Sequence, residues 1–267
     1  MYKQEWIETV QLEGRRAVME ALKHNKPIDR LLIKKEPDGS LSGTLKVIAA
    51  KAKELGVVVT TVERGKLDEM AQSGNHQGVI ALCPAKDYVD VDDILQAAAA
   101  KNEQPFVVVL DGITDPHNLG AILRTAEAGG VHGVIIPKRR QVGLTGAVAK
   151  TSAGAIEHIP VARVTNTART IEELKKAGLW VICGTGYNGS DNEAVSGAGN
   201  GKSLFDADCS GPVALVIGAE GSGVSRLVQE KADFSVYIPM LGHISSLNAS
   251  VAAGIMIYEV VRSRMSR

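Results

Sequence analysis

Five short runs from residue 106 onward are apolar almost from end to end: "FVVVLDG" from Phe106, "GVIIP" from Gly133, "LWVICGT" from Leu179, "VALVIG" from Val213 and "FSVYIP" from Phe234. A strand with one wet face alternates apolar and polar residues, whereas a strand covered on both faces does not. These runs therefore call for helices on both sides of a sheet, and helical patterns lie between them, which is the signature of a parallel α/β sheet. The last helix, "SVAAGIMIYEVVRSR", is apolar for most of its length and is expected to pack against protein.

The first part of the chain carries a separate alternation. "GRRAVMEALKHNK" places Val18, Ala21 and Leu22 on one helical face, "RLLIKK" and "VVVTTVE" read as strands, and "TLKVIAAKAKELG" is a helix closed by Gly56. "LDEMAQSG" returns to helix and "QGVIALCP" to strand. The stretch "AKDYVDVDDILQAAAAKNEQP" reads as a connector, helical in its middle and closed by Pro105. The expected division is an α/β domain over 1–84, a linker over 85–104 and a larger domain over 105–267. Residues 186–211, polar and glycine-rich, read as a mobile loop.

Composition narrows the partners. Lys plus Arg and Asp plus Glu both number 30, so a basic surface must be local. Cys83, Cys183 and Cys209 are odd in number and far apart, which predicts reduced thiols rather than a disulfide framework. The opening "MYKQEWIETVQLEGRR" lacks the apolar core of a secretory signal, and no run of ~18 apolar residues could span a bilayer, so a cytoplasmic protein is expected. Six histidines and three cysteines show no metal-ligand spacing, and no metal is expected.

Ligands of open α/β sheets bind at the carboxyl ends of strands, and three such ends are unusual here. In "DGITDPHNLGAILRTAEAGG", Asp115-Pro116 makes a turn, Asn118 is placed to cap the next helix, and Arg124 follows inside it. In "VALVIGAEGSGVSRL", Gly218, Gly221 and Gly223 suit a backbone closely approached by a ligand. The spacing is not the dinucleotide fingerprint, which argues against a nicotinamide-dependent oxidoreductase. In "IPMLGHISSLNASVAAG", Ser246 or Asn248 can cap the final helix. The run Ser245, Ser246, Asn248 and Ser250 exceeds what one cap needs.

Together these loops resemble the signature motifs of the SpoU (TrmH) class of the SPOUT superfamily, the ribose 2′-O-methyltransferases of RNA. The residues that carry the resemblance are Asn118, Gly120 and Arg124; Gly218, Glu220 and Gly223; and Ile238, Pro239, Met240, Gly242, Ser246, Leu247 and Asn248. "EGRRAVMEAL" and "HQGVIA" look like the small ribosomal-protein-like RNA-binding domain of bacterial 23S rRNA guanosine 2′-O-methyltransferases, and "DPHNLGAILRTAEAGGVHGVIIPK" is especially similar to that subgroup. Ala249 departs from the family's usual Val, and the 186–211 loop is long.

The resemblance implies a SPOUT domain with a parallel sheet and a C-terminal trefoil knot, preceded by that small α/β RNA-binding domain. It implies S-adenosyl-L-methionine as cofactor, bound by backbone at Gly218, Ile238 and Leu247. Arg124 is expected to grip a phosphate and polarise the 2′-hydroxyl, since a guanidinium is a poor base. Asn118, Glu220, Ser246 and Asn248 would position the ribose and the arginine, with His117 and His243 as flanking loop residues. The expected partners are large-subunit rRNA, met by Arg15, Arg16, Lys138, Arg139 and Arg140, and a second copy of the chain docked through the last helix. The alternatives are a same-fold methyltransferase of another rRNA nucleotide (the antibiotic-resistance type) or of tRNA, and a non-catalytic RNA-binding relative.

Overall fold

The computed structural model describes residues 11–41, 43–186, 201–244 and 246–266. The chain forms two compact units, one of Met1–Asp87 with Gly143–Gly146 and one of Tyr88–Val142 with Ala147–Arg267.

In the first unit, β1 (Gln11–Glu13), α1 (Arg15–Lys23), β2 (Arg30–Lys34), α2 (Gly43–Glu54), β3 (Val58–Val62), α3 (Arg64–Met70) and β4 (Val79–Leu82) alternate along the chain. The sheet order is β1-β4-β2-β3, with β2 parallel to β3 and β4 antiparallel to both β1 and β2. Leu31 and Ile33 of β2 point to the face covered by α1 and α2, where Val18, Leu22, Leu45 and Ile48 complete a core. The next residue along β2, Leu32, turns to the other face and meets Leu67 of α3. The helix ending "KELG" closes with Gly56 at φ 69, whose N–H bonds the Lys53 carbonyl.

The second unit starts with α4 (Val91–Ala100), followed by β5 (Phe106–Asp111), α5 (Pro116–Ala128), β6 (Gly133–Pro137), α6 (Gly146–Thr151), β7 (Val161–Val164), α7 (Thr167–Lys176), β8 (Trp180–Thr185), β9 (Lys202–Ser203), β10 (Val213–Gly218), α8 (Arg226–Lys231), β11 (Phe234–Tyr237) and α9 (Ala249–Met265). Seven strands lie in the order β7-β6-β5-β10-β8-β11-β9, and every pair is parallel. The continuous apolar runs are buried on both faces, as parallel strands demand. Val107, Val109, Val181, Ala214 and Val216 share one face with Ile171 and Leu174 of α7 and Val228 of α8. The alternate residues Phe106, Val108, Leu110 and Leu215 are equally buried on the opposite face.

Two segments differ from the sequence reading. The stretch read as a connector contains α4, whose fully buried Ile94 belongs to the second unit's core. Residues 187–200 of the segment read as a mobile loop lie outside the described residues. Residues 202–209, read as part of the same loop, are built into the domain: β9 pairs with β11, and Leu204 and Cys209 are buried. Their apolar side chains hold against the sheet edge what the surrounding glycines suggested was loose.

Candidate functional site

The loops that follow β8, β10 and β11 enclose a cavity of about 570 Å³, a volume typical of small-molecule sites. Gly218 and Glu220 line it from the β10 loop, Ile238 and Met240 from the β11 exit, Ser246 and Leu247 from the approach to α9, and Met256 from α9 itself.

Backbone shapes one wall. After β10 the chain folds back on itself, Ala219 and Gly223 exchanging main-chain hydrogen bonds of 3.1 and 2.9 Å. A Cβ at Gly218 would lie 2.1 Å from the Gly223 carbonyl carbon, so no other residue fits there. Gly221 and Gly223 take φ of 82 and 64, and Cβ atoms added to them would meet nothing within 4 Å. The wall therefore presents bare main chain to open space, which suits a ligand held by backbone groups. Its far end is pinned by Asp111 at the tip of β5, whose Oδ2 accepts the Ser225 N–H at 2.7 Å. Gln229, buried, donates through Nε2 to the Val224 carbonyl at 2.8 Å and also lines the cavity.

A second constellation lies where α9 begins. Asn248 is the N-cap of α9: its Oδ1 accepts from the N–H of Ser250 at 2.9 Å and of Val251 at 3.4 Å, as a capping amide does. The same oxygen accepts the Ser250 hydroxyl at 2.7 Å. Its Nδ2 then donates to Oδ1 of Asn118 at 3.0 Å, across 130 residues of chain. The orientation of both amides follows. Asn248 is consumed by the cap and by Asn118, and Asn118, with its oxygen occupied, has its Nδ2 donors to offer.

Asn118 is not the cap of α5. Asp115 takes that place, accepting the His117 N–H at 2.9 Å, with Pro116 as the first helical residue. Asn118 sits in the first turn, 8% exposed, and is thereby freed for Asn248. Gly120 of the same motif is a contact point, since a Cβ there would lie 1.9 Å from Oγ1 of Thr151.

Five expected residues, Gly218, Glu220, Ile238, Ser246 and Leu247, thus border one cavity, and Asn118 and Asn248 are joined to each other. Arg124 does not line the cavity: it is exposed on α5. His117 and His243 are exposed, and Ser245 lies outside the described residues. In the loop after β6, Arg139 and Arg140 are exposed and Lys138 half-buried. That loop is rigidly tied, since Gln141 Oε1 accepts the Ile113 N–H at 2.7 Å and the Val142 N–H reaches the Ile113 carbonyl at 2.9 Å. In the first unit Arg15 is half-buried and Arg16 exposed.

Burial pushes the Cys183 thiol up to about 12, helped by Asp111, and the Cys209 thiol up to about 11, helped by Glu259. Both stay protonated near neutral pH and neither is a nucleophile. No helix among the described residues is long and apolar enough to cross a membrane. Asp111 and Gln229 were not singled out by the sequence; the only signal was a lone carboxylate ending the run "FVVVLD".

Comparison with known proteins finds relatives that span both units. The SpoU rRNA Methylase family matches residues 105–258, and the family described as RNA 2′-O ribose methyltransferase substrate binding matches residues 11–89. YacO of Bacillus subtilis, named for the TrmH family of tRNA/rRNA methyltransferases, is 49% identical over 251 residues, 94% of each chain. Among solved structures, the SpoU methyltransferase AviRb from Streptomyces viridochromogenes, in complex with AdoMet, is similar with a TM-score of 0.56 and 27% identity, covering 96% of this chain and 91% of its own. An rRNA methyltransferase from Sinorhizobium meliloti has a TM-score of 0.56 at 28% identity, covering 96% and 88%.

Proposed function

This chain belongs to the SpoU rRNA Methylase family, and from that premise we propose that it methylates a ribose 2′-hydroxyl of RNA, specifically of a guanosine in 23S rRNA, with S-adenosyl-L-methionine as methyl donor. The observation that carries the reading is the Asn248–Asn118 hydrogen bond beside a cavity walled by Gly218, Glu220 and Leu247. It joins the first and third family motifs, as a site assembled from all three requires.

The cavity fits the cofactor by its chemistry: bare backbone at Gly221 and Gly223 for polar edges, and Leu247 and Met256 for apolar ones. Bound there, S-adenosyl-L-methionine supplies an electrophilic sulfonium methyl. Gly218, Ile238 and Leu247 hold the cofactor in this reading. The Nδ2 donors of Asn118 fix the ribose, Ser246 and Glu220 border the same space, and Asn248 acts through Asn118 as a positioning residue. Arg124 grips a substrate phosphate and donates to the 2′-oxygen, acidifying its hydroxyl. Tight alignment of oxygen and methyl can supply ~7–11 kcal/mol of barrier reduction, enough for positioning to dominate the rate.

The active form is a homodimer in this reading. Val251, Tyr258 and Met265 recur every seven residues along α9 and are 50, 50 and 82% exposed, and Leu241 and Ile244 nearby in sequence are 100 and 66% exposed. Large exposed apolar residues at such spacing support an interface there. Arg15 and Arg16 in the first unit, and Lys138, Arg139 and Arg140 in the second, contact RNA phosphates. The family's trefoil knot is proposed for the chain between β10 and α9, and a cytoplasmic location suits an rRNA substrate.

The test is methyl transfer from labelled S-adenosyl-L-methionine to 23S rRNA and to tRNA, with ribose methylation mapped in cells lacking the protein. The expected result is loss of a single 2′-O-methylguanosine of 23S rRNA. A tRNA product, a different nucleotide or no transfer at all refutes the assignment.

A further inference from the structure

The first unit contains a second cavity, of about 470 Å³, between the start of α1, the exit of β2, α3 and the turn Gly74–Gly78. Leu45 is the one aliphatic side chain in its wall among the described residues, and the one ring there is the buried imidazole of His76, engaged by Gly78 and Asp68, so the wall is polar and charged rather than a stacking platform. Three cations line it instead, Arg15, Lys34 and Arg64. Lys34 has Glu36 at 3.4 Å and Arg64 has Asp68 at 3.6 Å.

Arg15 differs from the other two. Among the described residues it has no carboxylate partner, and it is held in place by Gln77. Its main-chain N–H donates to Oε1 of Gln77 at 3.2 Å, and its Nε donates to the Gln77 carbonyl at 3.0 Å. The turn that carries Gln77 is itself anchored by buried His76, whose Nδ1 accepts the Gly78 N–H at 3.0 Å while Nε2 meets Asp68 at 2.9 Å. The guanidinium is therefore fixed in direction, with its two terminal nitrogens left over for a ligand.

Its position is electrostatically odd. Arg15 and Arg16 open α1, whose first turn has no acidic residue and whose N-cap, Gly14, has no side chain. A helix begins with partial positive charge and unpaired N–H groups, so two cations there oppose the dipole. Of the two, Arg15 lines the cavity, and an anion seated there supplies the counter-charge it lacks.

We propose that this cavity seats a phosphate of the RNA backbone, gripped by the terminal nitrogens of Arg15, with sugar filling the remaining space. The proposal rests on the reading of the chain as an RNA-acting enzyme and adds to it a defined phosphate site.

Binding of a labelled single-stranded RNA of mixed sequence, followed by fluorescence anisotropy across a salt series, tests it. Arg15→Gln is expected to weaken binding about tenfold, equally for unrelated sequences, and to flatten the log–log salt slope by about 0.7. Its melting temperature is expected to stay within a few degrees of the wild type, because removing a cation from the positive end of α1 offsets loss of the hydrogen bond to the Gln77 carbonyl. Arg15→Lys, which keeps the charge without the fork, is expected to regain the slope but not the full affinity. An Arg15→Gln protein that binds RNA with unchanged affinity and slope overturns the proposal.

Amide resonances of Gly74, Asn75 and Gly78, which line the cavity, separate the sources of phosphate. Shifts with RNA at concentrations where inorganic phosphate causes none support the proposal, and shifts with inorganic phosphate alone overturn it. Methyl transfer measured in parallel keeps the two readings apart. Transfer by the wild type alongside an unaltered Arg15→Gln binding curve sinks the cavity alone, whereas no transfer to any RNA sinks the enzymatic reading.

Discussion

Replacing Asn248 by aspartate separates the two tasks of one side chain. The cap survives, because a carboxylate accepts the N–H groups of Ser250 and Val251 as well as an amide oxygen does, and a negative charge at a helix start is mildly favourable. The donor to Asn118 is lost, and two acceptor oxygens now face each other across about 3 Å. Asn118 can escape only by turning its amide, which offers the ligand an oxygen where it had offered two N–H donors. Stability should change by less than about 1 kcal/mol, the worth of one neutral hydrogen bond. Turnover should fall by about a hundredfold, the scale on which a single preorganised donor matters. Asn248→Ala is the counterpart. It loses the cap, about 1 kcal/mol, and leaves the buried Asn118 oxygen unpaired, about 1 kcal/mol more. That sum lowers the melting temperature by roughly 4–8 °C. The assays are thermal melting, calorimetric titration of S-adenosyl-L-methionine and initial rates of methyl transfer to RNA. An Asn248→Asp enzyme that keeps more than half the wild-type rate refutes the argument that Asn118 is oriented through Asn248.

Three further outcomes are expected. Arg124→Ala abolishes methyl transfer while calorimetry still detects cofactor binding, because Arg124 stands outside the cavity. Gly218→Ala drives a Cβ to 2.1 Å from the main chain of Gly223, so it costs about 2 kcal/mol or more on melting and removes cofactor binding with it. Glu13 titrates in the folded protein at about 2: burial pulls it upward, but hydrogen bonds from Ser73, Gln72 and Gln11 outweigh that. Its contribution is in force above the ordinary carboxylate range and is lost as pH falls toward 2. Glu13→Gln should therefore lower stability at neutral pH and flatten the acid limb of a pH–melting curve below about pH 4.5.

The strands were legible because burial on both faces removes alternation, and "FVVVLD", "GVIIP" and "VALVIG" stand as β5, β6 and β10. The neighbours β5 and β10 were not legible as a pair, because nothing in either run specifies its partner. Asn118 was read as a cap because it is a good one. Asp115 outcompetes it since Pro116 is preset for the first helical position and needs no N–H partner. Arg124 shares a motif with Asn118 but not a helix face, since six residues at about 100° each leave them roughly 120° apart. The roles of Asp111 and Gln229 depend on partners, Ser225 and Val224, that only the folded chain brings to them.

The strand order has a consequence for how the chain is made. β5 is the first strand of the large sheet to leave the ribosome, yet the register partner of its Phe106 is Val213, which is 213 − 106 = 107 residues later. At ~5–20 residues per second, that edge of β5 waits roughly 5–20 s without its neighbour during synthesis. An apolar, β-branched edge held open that long invites pairing with other chains. Newly made protein should thus depend on chaperone protection until Gly218 has emerged, and slowing translation between β7 and β10 should raise the aggregated fraction.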